Sequence, residues 1–293
     1  MDRRRGQIVL VAAFGLALFF VTLALLLNTA IFTEHLATRE TVDATDAYDF
    51  QDSVRETGGV LLWETNREAS TEAALARTYR ERVENYSDAE QAHGVATGEY
   101  RTVLLRDIHN GTMVTQETAA PLESPTGNAT WRLADDVSAA RAVTLNVSSV
   151  DAGHPLVLNA TNGSHTWELR IEEDGTDFTV AVSRANGSTT TRTVTAPLHV
   201  EPTNGTIDGE EWSPLTFQDQ LADSWAIWIA NGSTATGSYR FVLDQADDTI
   251  AWADGANPSH EPALYNATLG LELEREDLDY RANVTVAPDR RPA

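Results

Sequence analysis

The sequence predicts an α+β fold: an N-terminal transmembrane helix continuing into a helical stalk, then a C-terminal β-rich, sandwich-like domain. Three observations predict it. Ile8 to Leu27 is a run of 20 residues without a charge. Beyond it, apolar residues recur at helical spacing as far as about Asn110. From about Asn128 the apolar period drops to that of a strand, so that alternate side chains share a face. The boundaries that follow are a basic leader at 1–6, a transmembrane helix at 7–32, an extracellular helical stalk at 33–120 and a β-rich head at 125–293.

The uncharged run is long enough to cross a bilayer, since 20 helical residues rise about 30 Å. It exceeds the ~7–15 residues of a secretory signal's apolar region, and no Ala-x-Ala site follows it. Arg3, Arg4 and Arg5 precede it, whereas Glu34, Glu40, Asp43 and Asp46 follow it. The excess of arginine marks the cytoplasmic side, which leaves everything after Phe32 outside the cell membrane.

Three helices are expected in the stalk. Ala47, Phe50 and Val54 follow helical spacing, and the pair Gly58-Gly59 is expected to stop that run. Leu75, Tyr79, Val83 and Tyr86 make one apolar stripe within a second helix. A third is expected from Ser87, where "SDAE" offers a capping box with Glu90, as far as Asn110-Gly111.

In the head, Trp167, Leu169 and Ile171 alternate with Glu168, Arg170 and Glu172. "DGTD" then turns the chain into Phe178, Val180 and Val182, a half-buried hairpin. Val143, Leu145 and Val147, then Tyr239, Phe241 and Leu243, Leu269, Leu271 and Leu273, and Tyr280, Ala282 and Val284 repeat the pattern, which suits a β-sandwich. "PLTFQDQLADSWAIWIANG" interrupts it as a short helix. Its Trp225 and Trp228 are either core residues or, if exposed, platforms for sugar rings.

Composition excludes several functions. The formal charge is −23 and every one of the 21 basic residues is arginine; so negative a field repels phosphate backbones, so no nucleic acid is expected as partner. A strongly acidic chain without lysine is similar to proteins of salt-loving archaea, where salt screens self-repulsion. There is no cysteine, hence no disulfide or thiolate chemistry. Of 14 asparagines, 11 open an Asn-x-Ser/Thr sequon: Asn85, Asn110, Asn128, Asn146, Asn159, Asn162, Asn186, Asn204, Asn231, Asn266 and Asn283. Chance would place about two or three, and the sequon marks glycosylation sites on exported surfaces.

No catalytic residue, metal ligand or cofactor is indicated. His35, His93, His109, His154, His165, His199 and His260 form no close-spaced zinc pair, and neither a nucleophile elbow nor a phosphate loop occurs. The acidic clusters "EEDGTD", "DQADD" and "DGEE" follow no calcium-loop spacing and read as solvated surface.

The segment "RRRGQ" followed by the uncharged helix resembles archaeal type IV pilin-like proteins with a class III signal peptide. The resemblance covers about the first 30 residues. It implies cleavage between Gly6 and Gln7 by a prepilin peptidase, retention of the apolar helix, and other pilin-like subunits as partners besides the lipid bilayer. Val11 stands where many members of that family carry glutamate. The expected function is a membrane-anchored, non-enzymatic component of an archaeal cell-surface appendage. The alternative is a monomeric signal-anchored module that binds a polymer or partner protein.

Overall fold

A computed structural model describes residues 45–68, 71–216, 224–252 and 257–288. The chain divides into two units, Met1–Asp52 and Ser53–Ala293. Of the first, the described residues, 45–52, are helical. The run Ile8 to Leu27, the proposed cleavage point at Gly6 and Gln7, and His35 lie outside the described residues. Among the described residues no helix is long and apolar enough to cross a membrane.

The second unit carries two helices, α1 (residues 45–68, of which 53–68 belong to this unit) and α2 (Glu72–Thr97). Its strands among the described residues are β1 (Tyr100–Pro121), β2 (Trp131–Val137), β3 (Ala140–Val150), β4 (Leu156–Thr161), β5 (Thr166–Asp174), β6 (Asp177–Ser183), β7 (Thr189–Thr195), β8 (Leu198–Glu201), β9 (Thr206–Ile207), β10 (Glu210–Glu211), β11 (Trp225–Ala230), β12 (Ala235–Leu243), β13 (Ser259–Arg275) and β14 (Leu278–Val286). They form an eight-stranded sheet A, ordered β10-β9-β8-β3-β12-β1-β13-β14, and a six-stranded sheet B, ordered β2-β11-β4-β5-β6-β7. Every pairing is antiparallel.

This overturns the α+β expectation. The protein is mostly β, with 51% of the described residues in strands, and α2 lies along β1 and β13 instead of standing free as a stalk. The reason is non-local pairing. Tyr100 to Asn110, read as the end of a third helix, is instead the first half of β1, paired with β13 from Tyr100↔Glu274 to Asn110↔Leu264. A signal for the true boundary stands at Gly98, whose left-handed backbone (φ 79°) closes α2 with its N–H donating to the Gly94 carbonyl. Ser87 does not cap a helix: it is buried in the middle of α2, and Thr71 is the N-cap, accepting from the Ala74 amide at 3.3 Å.

Gly58 and Gly59 do not stop a helix either; both are helical. They are clearance residues. A Cβ on Gly58 would stand 2.7 Å from Leu269 Cδ1, and one on Gly59 would stand 2.8 Å from the Ala287 carbonyl oxygen. The missing side chains let α1 approach β13 and the end of β14, closer than any other residue allows.

The apolar core between the sheets includes Val143, Leu145, Val147, Tyr239, Phe241 and Leu243 from sheet A and Trp167, Leu169, Ile171, Phe178, Val180 and Val182 from sheet B. These are the inward positions of the expected alternation. The expected short helix near residues 214–232 is corrected as well: Trp225–Ala230 is strand β11, with Trp225, Ile227 and Ile229 buried. Trp225 is therefore a core residue, whereas Trp228 points outward beside Arg132, with the guanidinium 5.6 Å from the ring centre.

Candidate functional site

Sheet A turns its other face to α1 and α2 over β1, β13 and β14. Leu75, Tyr79 and Val83 on α2 are fully buried and follow the stripe read from the sequence. Polar groups fix the helices' position. Asn66 donates through Nδ2 to the Leu264 carbonyl (2.9 Å) and accepts from the Leu264 amide (2.7 Å). Ser87 accepts from the Val103 amide at 3.1 Å and shares a hydrogen bond with Thr102 at 3.2 Å. The Tyr79 hydroxyl donates to the Gly58 carbonyl (3.3 Å), and burial pushes its phenol well above the ordinary value.

Beyond the helices, the same face of sheet A opens into a groove of about 550 Å³. Its floor is built by register. Ser238, Asn146 and His199 lie opposite one another across β12, β3 and β8, and the next row pairs Arg240 with Thr144. Because strand side chains alternate, these residues face outward while Tyr239 and Leu145 between them face the core. Asn146 donates to Ser238 Oγ (3.1 Å), and His199 Nδ1 donates to Asn146 Oδ1 (2.5 Å). His199 Nε2 lies 3.4 Å from Glu201, and Arg240 lies 3.5 Å from Glu117. On the α1 side the wall is Trp63, half-buried, with the Arg67 guanidinium 4.7 Å from its ring centre. The sequence reading named Asn146 only as a sequon and His199 only among the histidines, and did not single out Trp63, Ser238, Thr144 or Arg240; strand pairing brings the floor together and the packing of α1 adds Trp63.

A second polar cluster occupies the segment after β12. Asp244 binds His109 Nε2 (2.6 Å) and Ser138 Oγ (3.0 Å), while Asp247 binds His260 Nδ1 (2.7 Å). Serine and histidine here share a carboxylate and do not touch each other in a nucleophile–base contact, so the chemistry of a catalytic triad is not assembled. Other acidic positions also have structural partners. Glu173 accepts from the Val150 amide (2.9 Å), Asp208 from the His199 amide (2.9 Å), and Glu210 pairs with Arg192. Among the described residues no group of three or more histidines and carboxylates is placed to hold a metal ion.

The sequon asparagines fall on one side of a sharp division. Asn85, Asn110, Asn128, Asn146, Asn186, Asn204 and Asn283 are exposed, and Asn159, Asn162, Asn231 and Asn266 are half-buried. None is buried. Asn66, which opens no sequon, is 3% exposed. Local turns explain some positions: Asn162 accepts from the Ser164 and His165 amides, Asn186 accepts from the Ser188 amide, and Asn231 adopts a left-handed backbone (φ 59°).

The profile of a family of unknown function (DUF7261) matches residues 2–108. That match takes in α1, α2 and the first half of β1. No curated protein and no solved structure matches the chain.

Proposed function

We propose that this chain is a membrane-anchored surface protein whose β-sandwich faces the exterior, a pilin-like component of an archaeal cell-surface appendage. The observation that carries the reading is the placement of the asparagines: all 11 sequon sites are open to solvent in full or in part, and among the described residues the one deeply buried asparagine, Asn66, opens no sequon. An enzyme that transfers a glycan needs that access, and a cytoplasmic protein has no use for the excess. The orientation follows from the arginine triplet before the uncharged run and the acidic residues after it. The "RRRGQ" segment supports processing between Gly6 and Gln7, which removes the three arginines and leaves the apolar run able to join its copies.

The test is the intact mass and N-terminal sequence of protein from its own host, together with the fraction in which it travels. A mature chain beginning at Gln7 in sheared, high-molecular-weight material is the expected result. A chain beginning near Met1 that stays in the membrane until detergent is added would replace the appendage reading with the monomeric anchored module. A chain beginning beyond Ala30 would overturn both.

A further inference from the structure

The chemistry of the groove beside α1 points to a ligand. Its floor rows offer hydroxyl, amide, imidazole and guanidinium groups on three neighbouring strands, and its wall offers an indole. Carboxylates and guanidiniums occur together: Glu117 and Glu201 oppose a phosphate, while Arg67 and Arg240 oppose a cation. The polar floor does not suit an apolar peptide, whose burial would leave those groups unsatisfied. A sugar ring presents what remains, hydroxyls that both donate and accept around an apolar C–H face that stacks on an aromatic ring.

We propose that this groove is a carbohydrate-binding site, with Trp63 as the stacking surface and Glu117, Asn146, His199, Glu201 and Arg240 as hydrogen-bonding groups. Its walls are preorganised. Arg67 holds the indole of Trp63, and the Ser238–Asn146–His199 chain orients the floor, so little side-chain freedom remains to be lost on binding. The saccharide has two possible sources, an external polymer or a glycan carried by the protein itself, because the sequon residues Asn146 and Asn204 both line the groove.

The experiment uses the full chain in detergent and molar salt, produced in a host that attaches no glycans. Trisaccharides of glucose, N-acetylglucosamine and glucuronate are titrated against it by calorimetry and tryptophan fluorescence. Saturable binding of at least one is expected, weakened about tenfold or more by Trp63→Ala. Glu117→Gln, at a side chain 72% exposed, leaves the fold intact and should weaken binding about threefold or more. Absence of binding by all three sugars at ~10 mM, an affinity too weak for a built site, would overturn the proposal. Binding that both variants leave unchanged would overturn it equally. Native glycosylated protein then separates the sources. If its own glycan fills the groove, free sugar binds only after Asn204→Gln or after Ser148→Ala, which removes the Asn146 sequon and keeps the Asn146 side chain; if the ligand is external, free sugar binds the native protein directly.

Discussion

On the face that sheet A turns to sheet B, Val147, Tyr239 and Phe241 join Trp167, Leu169 and Phe178 in one apolar cluster. On the face it turns to the helices, Thr65, Asn66, Ser87 and Thr102 are buried just as deeply. The two faces teach different lessons about specification. Apolar contact rewards area and has no preferred direction. A two-bond contact such as Asn66 to the backbone of Leu264 is satisfied at one position only, and a slipped helix leaves both partners unpaired in a buried interface. Sheet A is therefore glued to sheet B by surface and pinned to its helices by polar register.

The largest effect is expected in the apolar layer. Phe178→Ala removes a fully buried ring and should lower stability by about 3–5 kcal/mol, read from denaturant melts in molar salt. In the helix layer, Asn66→Leu keeps the side chain's branched shape but orphans the Leu264 amide and carbonyl, with an expected loss of ~2–4 kcal/mol. Asn85→Leu, on the exposed side of α2, should stay within about 0.5 kcal/mol. Equal losses at the two asparagines would erase the distinction between the faces.

Alkaline pH probes both layers at once. Burial raises the phenols of Tyr79, in the helix layer, and Tyr239, in the sandwich. The fold favours the neutral form. Stability is thus fully present below the unfolded value near 10 and is lost as pH rises from there toward the raised folded values. At pH 11 the loss is about 1.4 kcal/mol for each tyrosine. Tyr79→Phe should remove the Tyr79 share of that pH dependence and leave the parts due to Tyr239 and to Tyr86, whose phenol burial also raises. A melting temperature that stays flat to pH 11 would mean that neither phenol is held neutral.

The smallest expected loss at a buried position tests the clearance residues. Gly59→Ala gains about 1 kcal/mol of helix propensity but drives a Cβ to 2.8 Å from the Ala287 carbonyl, a backbone atom. Overpacking of this kind costs ~1–3 kcal/mol, so a net loss of about 1 kcal/mol is expected. A more stable variant would show that α1 is not closely seated on β14.

What the sequence made legible follows the same division. The alternation of Trp167, Leu169 and Ile171, or of Phe178, Val180 and Val182, marks the sandwich because burial on one sheet face writes a period of two into the chain. The stripe Leu75, Tyr79 and Val83 likewise marks α2. The helix layer hides its other determinants. Ser87 looks like a cap because capping residues and buried hydrogen-bonding residues are the same types, and Gly58-Gly59 looks like a terminator because clearance and termination both use glycine. Tyr100 to Asn110 continues an amphipathic pattern locally and becomes strand only because β13, more than 150 residues later, supplies its partner. The groove was hidden for that reason too: Asn146, His199 and Arg240 are brought together by strand register, and Trp63 reaches them only because α1 packs on the sheet.

Native-state hydrogen exchange most directly decides whether the helices are a pinned layer or a loosely attached stalk. The amides of Leu264 and Val103 donate to the Asn66 and Ser87 side chains, so their protection reports the helix layer, while β5 and β6 report the sandwich. Exchange of Leu264 and Val103 with the same opening free energy as the Leu169 and Val180 amides is the expected result, with Asn66→Leu lowering the protection of Leu264 first. Exchange of those two amides by frequent local opening, while β5 and β6 stay protected, would contradict it.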